Sequence, residues 1–242
     1  MTNYPSEVLS FNKIIERRSD LMAIPAIQPY NMPVHTQFPI NRVSWKADPK
    51  RSVLLIHDMQ QYFLNAFTPN ASPLTELVKH IAILKEECKL LGIPIVYTAQ
   101  PGAQNPKDRS LLTDFWGPGL KDDVSQTKII EEVAPSEQDT VLTKWRYSAF
   151  KRSNLLESMQ QQSRDQLIIC GVYAHIGCLL TASDAYMQDI QPFLVGDAVA
   201  DFSLEEHKMA LKYAAGRCAV TISTSSLLED LKSNSNLQLN IN

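Results

Sequence analysis

Runs of apolar residues alternate with amphipathic helical patterns along most of the chain. Ser52–Ile56 is a continuous apolar run, which is typical of a strand that is buried on both faces. After Pro73, apolar residues recur at helical spacing as far as Gly92, and this spacing predicts a helix. Similar apolar runs predict five further strands, at Ile93–Thr98, Asp139–Thr143, Gln166–Val172, Pro192–Val195 and Cys218–Thr224.

Helical patterns separate the later strands, at Asn154–Gln162, Ile176–Asp189 and Ser203–Ala215. Ser203, followed by Glu206 three residues later, forms a capping box that marks the start of the last of these helices. Strands that alternate with helices indicate a parallel sheet covered on both faces. We therefore predict an α/β protein with three layers, in which a six-stranded parallel sheet lies between helices in a Rossmann-like topology.

The chain reads as one α/β domain with two flanking segments. We predict an N-terminal extension at residues 1–21, a proline-rich extended arm at 22–50 and the α/β core at 51–231. Residues 232–242 form a polar tail that we expect to be disordered. No carrier domain is expected, because the chain contains no Asp-Ser dipeptide of the kind that carries phosphopantetheine.

Composition and charge exclude several classes of protein. The chain has 242 residues, 44% of them apolar, and a net charge of −3, so we expect no nucleic-acid partner. No apolar stretch is long enough for a transmembrane helix, and the N-terminus lacks the pattern of a secretory signal. The four cysteines are far apart and form no CxxC motif, which favours free thiols and a cytoplasmic location.

Candidate chemistry lies directly after the strands, because ligands of parallel α/β sheets bind at the carboxyl ends of the strands. Asp58 follows the first strand and Lys144 follows the third, so both side chains should face one crevice. Burial would raise the pKa of Asp58 unless a cation such as Lys144 offsets the effect. A helix cap or a purely structural ion pair is the competing interpretation for these two residues.

Cofactor motifs are absent from the sequence. There is no GxGxxG, no GxxxxGK[ST], no GxSxG and no HExxH, so we expect neither a cofactor nor a metal. Cys178 lies at the start of a predicted helix, where the helix dipole would favour a thiolate. It is therefore either a nucleophile or a small buried apolar residue.

Six segments in order resemble the isochorismatase family: LLIHDMQQYF (54–63), YTAQPG (97–102), LLTDFWGPGL (111–120), LTKWRYSAFKRSNLL (142–156), GVYAHIGC (171–178) and VGDAVADFS (195–203). The resemblance extends from about residue 22 to 231 and is greatest for the enzymes of catechol-siderophore pathways of the bacillibactin and enterobactin type. It implies a six-stranded parallel sheet. It also implies hydrolysis of isochorismate to 2,3-dihydro-2,3-dihydroxybenzoate and pyruvate.

The resemblance also assigns roles to residues. Related cysteine hydrolases carry their nucleophile at the position of Gly177, so Cys178 is one residue late, and about 100° away on a helix. The expected mechanism is therefore acid catalysis, in which Asp58 is the acid and Lys144 holds Asp58 and a substrate carboxylate. The N–H groups of Tyr173 and Gly177 would bind carboxylate oxygens. The remaining substrate-binding residues are expected to be Gln100, Arg109, Phe63, Trp116 and Tyr147.

Further expectations follow from the family. A non-proline cis peptide is expected at Val172–Tyr173. The protein should be a homo-oligomer, and an aryl carrier protein or a synthetase is a candidate partner in trans. A stand-alone relative of phenazine pathways hydrolyses 2-amino-2-deoxyisochorismate, so that compound is the second candidate substrate. A cysteine amidohydrolase that uses Cys178 and a non-catalytic scaffold are the competing functions.

Overall fold

The computed structural model describes residues 24–239, and its centre is a six-stranded sheet. The strands are β1 (Ser52–His57), β2 (Ile95–Ala99), β3 (Thr140–Thr143), β4 (Gln166–Val172), β5 (Gln191–Ala200) and β6 (Val220–Ile222). Their order is β3-β2-β1-β4-β5-β6, and every neighbouring pair is parallel. The predicted fold class is therefore confirmed.

Helices cover both faces of this sheet. They are α1 (Gln61–Leu64), α2 (Leu74–Leu90), α3 (Pro106–Arg109), α4 (Leu112–Trp116), α5 (Val124–Thr127), α6 (Leu155–Gln161), α7 (Leu179–Met187), α8 (Leu204–Arg217) and α9 (Thr224–Leu239). The long helices α2 and α9 pack on one face, whereas α6, α7 and α8 pack on the other. None of the described helices has both the length and the apolar composition needed to cross a bilayer.

The burial of each strand follows its place in the sheet. All six residues of β1 are buried, because this strand lies between two others and has helices above and below. Only Leu142 of the four residues of β3 is buried, since β3 is an edge strand. Helix α2 buries Leu77, Ile81 and Leu84, which lie three or four residues apart. It ends before Gly92, which adopts a left-handed φ of +66°.

The strand order reverses between β1 and β4, and this arrangement creates the site. Connections from β1 and β4 leave in opposite directions, so a crevice opens at the carboxyl ends of these two strands. His57 at the end of β1 is in register with Gly171 of β4 and with Thr98 of β2. Residues that follow these strands therefore converge on one place.

The proline-rich arm packs against the domain, and its described part has no helix apart from one 3₁₀ turn at His35–Gln37. Ile27 is buried, and its N–H donates to the carbonyl of Ala66. The side chain of Asn41 donates to the carbonyl of Thr221 in β6 and accepts from its N–H. The described part of the arm therefore lies along the domain, and Ile27 and Met32 are buried in its apolar core.

Two sequence predictions need correction. The fifth strand continues to Ala200, because a register irregularity between Ile169 and Gly171 lets the pairing with β4 resume beyond Gly196. Asp197 therefore lies within β5, where it caps helix α9 by accepting from the N–H and hydroxyl of Thr224. The polar tail predicted to be disordered is helical as far as Leu239. The predicted extension at 1–21 lies outside the described residues.

Candidate active site

A cleft of about 600 Å³ opens at the carboxyl ends of the central strands. The structure brings all the residues predicted for the site to its walls: Asp58, Phe63, Gln100, Arg109, Trp116, Lys144, Tyr147, Tyr173 and Gly177. They come from the ends of β1, β2, β3 and β4, from helix α1 and from the long connection between β2 and β3. Residues far apart in the chain thus share one enclosure.

Asp58 and Lys144 form a buried ion pair in this cleft. Lys144 Nζ donates to Asp58 Oδ2 across 3.2 Å, and the side chains of Lys144 and Asp58 are 4% and 6% exposed. Asp58 has a φ of +49°, a left-handed conformation that is uncommon outside glycine, although Asp tolerates it better than most residues. Such strained residues concentrate at functional sites.

Thr98 holds the other oxygen of Asp58, and sequence reasoning missed it. Its hydroxyl donates to Asp58 Oδ1 across 2.5 Å and accepts from the Asp58 N–H across 3.1 Å. Burial raises the pKa of Asp58, but the charge of Lys144 and these hydrogen bonds outweigh it, so the pKa is lowered. The carboxyl group of the free protein is therefore ionised at neutral pH.

His57 lies behind the acid and carries no charge at neutral pH. Its Nδ1 is 2.9 Å from the carbonyl of Val172 and 3.7 Å from Asp58 Oδ2, and the residue is fully buried. Burial, followed by the charge of Lys144, lowers the pKa of His57 to about 4. A neutral ring that donates through Nδ1 leaves Nε2 as an acceptor, and this atom has no partner among the described residues.

Arg109 is brought into the cleft by α3. Its Nε donates to the carbonyl of Gly117 and its Nη2 to that of Trp116, so part of the guanidinium already binds the backbone. The bidentate carboxylate clamp predicted for this side chain is therefore partly occupied. The buried Nη1 lies close to Gly119 and has no hydrogen-bond partner among residues 24–239.

Aromatic side chains close the cleft on one side. Tyr173 donates its hydroxyl to the carbonyl of Phe63 and packs against Phe202 at a ring distance of 4.4 Å. Trp116 Nε1 donates to the hydroxyl of Tyr147 across 2.7 Å, which connects the β2–β3 segment to the end of β3. Sequence reasoning missed Phe202 because the fifth strand was predicted to end at Val195, whereas β5 continues to Ala200 and Phe202 follows its end.

The segment after β4 supplies Gly177 and not a thiol. The peptide bond between Val172 and Tyr173 is cis, as the family resemblance implied. Gly177 lines the cleft, whereas Cys178 is fully buried outside its lining, and burial raises the pKa of its thiol well above the usual value. Cys178 is therefore an inert buried residue, in agreement with the register argument.

Gln100 is positioned by a residue that the sequence did not reveal. The side chain of buried Gln60 accepts from the N–H of Gln100 and donates to its carbonyl. The backbone of Gln100 is thereby fixed while its side chain borders the cleft. The sequence signal for Gln60 was its position, because it is a polar residue directly after Asp58-Met59.

One group of side chains has the composition of a metal site. His175, Asp201 and Glu206 place one candidate ligand atom each within 4.8 Å of one another. Asp201 already accepts from the N–H and from Nδ1 of His175, and Glu206 accepts from the hydroxyl of Ser203. These hydrogen bonds explain why the three side chains lie close together without a metal ion.

The fold and the buried Asp58–Lys144 pair define an α/β enzyme that binds a small molecule at its strand ends. The family described as Isochorismatase domain matches residues 52–226. The chain is 67% identical over 211 residues to the isochorismatase of Bacillus subtilis, covering 87% of this chain and 68% of that protein. It therefore belongs to the isochorismatase family.

Two further relatives differ in the pathways that their names describe. The chain is 50% identical to the enterobactin synthase component B of Escherichia coli, with 86% of this chain and 73% of that protein covered. It is 49% identical to a phenazine biosynthesis protein of Pseudomonas aeruginosa, with 86% of this chain and 100% of that protein covered.

Solved structures show the same fold at low identity. A cysteine hydrolase of Pseudomonas syringae superposes with a TM-score of 0.71 at 20% identity, covering 81% of this chain and 98% of the other. A nicotinamidase of Bacillus subtilis superposes with a TM-score of 0.63, also at 20% identity, covering 72% of this chain and 99% of the other.

Proposed function

We propose that this protein hydrolyses the enolpyruvyl vinyl ether of isochorismate to 2,3-dihydro-2,3-dihydroxybenzoate and pyruvate. The observation that carries the proposal is the buried Asp58–Lys144 pair in a cleft lined by aromatic side chains. Family membership and 67% identity to an isochorismatase support the same reaction. We propose that the reaction is a step in the synthesis of 2,3-dihydroxybenzoate for siderophores.

A vinyl ether can be hydrolysed without a nucleophilic side chain. The carboxylic acid of Asp58 transfers its proton to the terminal CH₂ carbon of the enolpyruvyl group, and the C=C electron pair forms the new C–H bond. Water then adds to the resulting oxocarbenium ion and loses a proton, which the Asp58 carboxylate accepts. The hemiketal collapses to pyruvate and the ring alcohol. A positioned acid of this kind contributes roughly 10²–10⁴-fold in rate.

The charges in the cleft suit a substrate with two carboxylates. Lys144, Arg109 and Arg146 line the cleft together with a single carboxylate, that of Asp58, among the described residues. Three cations against one anion leave a balance of two positive charges, which matches the two carboxylates of isochorismate. The unpartnered Nη1 of Arg109 is the donor proposed to bind one of them.

Substrate binding is also proposed to load the acid with its proton. In the free protein the pKa of Asp58 is lowered by Lys144, so the carboxyl group is ionised. A substrate carboxylate that binds near Lys144 shares its charge and adds a second negative charge beside Asp58. Both effects raise the pKa of Asp58, so that a proton accompanies the substrate into the complex.

The amino analogue, 2-amino-2-deoxyisochorismate, is the second candidate substrate, because one relative is a phenazine biosynthesis protein. A protonated amine would enter a cleft in which cations outnumber carboxylates, and Lys144 already engages the one carboxylate among the described lining residues. The cleft therefore favours the neutral hydroxyl of isochorismate. Pyruvate release from each compound tests this, and a kcat/KM at least about tenfold higher for the amine would contradict the proposal.

We also propose the oligomeric state, the location and a partner of the protein, from its exposed apolar residues and its cysteines. Leu180, Met187, Met209 and Tyr213 expose apolar surface on α7 and α8, which supports a homo-oligomer. All four cysteines are free and buried, which suits the reducing cytoplasm. An aryl carrier protein or synthetase acting on the product in trans is part of the same proposal. Light scattering of the purified protein measures its oligomeric state.

A further inference from the structure

Position 177 is crowded by the imidazole ring of His57. A Cβ atom added to Gly177 would overlap His57 Cε1 and would lie 2.8 Å from each of the two ring nitrogens. Contacts below 3.0 Å between a Cβ and other heavy atoms are essentially unseen in proteins. Gly177 and His57 therefore compete for the same volume, and the glycine is required as long as the ring is present.

The ring of His57 cannot leave this volume freely. The residue has no exposed surface, and its Nδ1 is bonded to the carbonyl of Val172. The backbones of His57 and Gly171 also approach each other closely, because a Cβ on Gly171, at a φ of +111°, would overlap the His57 carbonyl oxygen and would lie 2.7 Å from the His57 nitrogen. Gly171 and Gly177 thus both lie too close to His57 to carry a side chain.

We propose that His57 is a specificity-determining residue that, by occupying the side-chain volume of position 177, excludes a nucleophile from the cleft. With that volume filled, the reacting groups left at the site are the Asp58–Lys144 pair and water. The overlap between the His57 ring and a side chain at position 177 does not depend on which ether is cleaved. The inference that this overlap selects acid catalysis rests on the proposed function. The same backbone can hold a thiol at this position only after the ring is removed.

Four variants test this pairing: Gly177→Cys, His57→Ala, the double variant His57→Ala/Gly177→Cys, and the control Gly216→Cys. Gly216 is matched because a Cβ at that position would meet no atom within 4 Å, and no positive φ constrains it. Gly177→Cys should lower Tm by at least about 5 °C, since overpacking a fixed core is destabilising. Gly216→Cys should leave Tm nearly unchanged, and the double variant should have a higher Tm than Gly177→Cys alone.

The rate of thiol labelling provides a second measurement, which a change in stability alone would not alter. In iodoacetamide labelling, the thiolate sulfur displaces iodide and forms a C–S bond, and the thiol proton passes to solvent. The wild-type protein should take up no label, because its four cysteines are buried. In the double variant the thiol at position 177 should react at least about tenfold faster than in folded Gly177→Cys. Its rate should rise at a lower pH than that of Gly216→Cys, because the cleft is cationic.

The proposal is overturned if the double variant is no more stable than Gly177→Cys, or if removal of the ring does not accelerate labelling. A double variant that fails to fold counts against it equally, because removal of the ring should relieve the overlap. None of these measurements uses isochorismate. A wrong substrate assignment would therefore leave them unchanged and would appear only in the pyruvate assay.

Discussion

Lys144 Nζ lies 3.2 Å from Asp58 Oδ2, so the protein's own fold brings this acid and base into contact. Both side chains are almost fully buried, and removal of one partner of such a pair costs about 3–5 kcal/mol. The pair also keeps Asp58 ionised at rest. The proposed acid must therefore acquire its proton when the substrate binds.

Proton uptake on binding should be measurable by calorimetry. A saturated ether analogue of isochorismate retains both carboxylates but cannot be hydrolysed. Its binding at pH 7, measured in buffers of different ionisation enthalpy, should consume close to one proton, because the added negative charge raises the pKa of Asp58. The Asp58→Asn variant should bind with no uptake. Binding of the analogue by the wild type without uptake would contradict the proton-loading step.

Acid should destabilise the protein through His57. Its folded pKa is about 4, below the unfolded value of about 6.5, so the unfolded chain binds the extra proton between these two values. The stability associated with the neutral ring is complete above about pH 6.5 and is lost as pH falls toward 4, by on the order of 3 kcal/mol. Urea unfolding at several pH values measures this loss. His57→Gln should remove it, whereas the exposed His35→Gln should not.

Thr98→Val should remove the hydrogen bonds that position Asp58, while valine keeps the shape of the threonine side chain. The variant loses the hydrogen bond to Asp58 Oδ1 and leaves the buried N–H of Asp58 without its acceptor. A bond to a charged group is worth about 1.5–3 kcal/mol, so kcat/KM should fall by about 10–100-fold. Thr98→Ser keeps the hydroxyl and should retain most of the activity. Equal losses in the two variants would show that the hydroxyl is unimportant.

Arg109→Lys should reduce substrate affinity more than turnover. Lysine keeps the charge but loses the planar donors that bind the backbone carbonyls of Gly117 and Trp116 and leave Nη1 free. We expect KM to rise by about tenfold or more with a smaller change in kcat. Arg217→Lys, on the exposed end of α8, is the matched control. An unchanged KM for Arg109→Lys would remove this residue from the proposed carboxylate site.

The sheet and the Asp58–Lys144 meeting point were predictable from the sequence for physical reasons. Burial on both faces makes β1 and β4 read as apolar runs, and parallel strands bring their carboxyl ends to one edge. Asp58, directly after β1, and Lys144, directly after the edge strand β3, could then be expected to meet at that edge. The resemblance to a family supplied Arg109 and Trp116, which lie on short helices between β2 and β3 that periodicity does not detect.

Other features depend on contacts that no local pattern encodes. Thr98 looks like an ordinary strand residue, and only its register with His57 brings its hydroxyl to Asp58. Gly196-Asp197 resembles a strand end, yet β5 continues past it because pairing with β4 resumes after an irregularity. The sign of the Asp58 pKa shift likewise depended on a distance to Lys144, which the sequence does not contain.

Pyruvate release by Asp58→Asn tests the central claim most directly. A carboxamide of the same shape cannot donate the proton, so kcat should fall by at least about 10²-fold relative to the wild type. Release is followed by coupled NADH oxidation with isochorismate as the substrate, and retained binding of the saturated analogue shows that the cleft is intact. A variant that binds the analogue and releases pyruvate at the wild-type rate would contradict acid catalysis by Asp58.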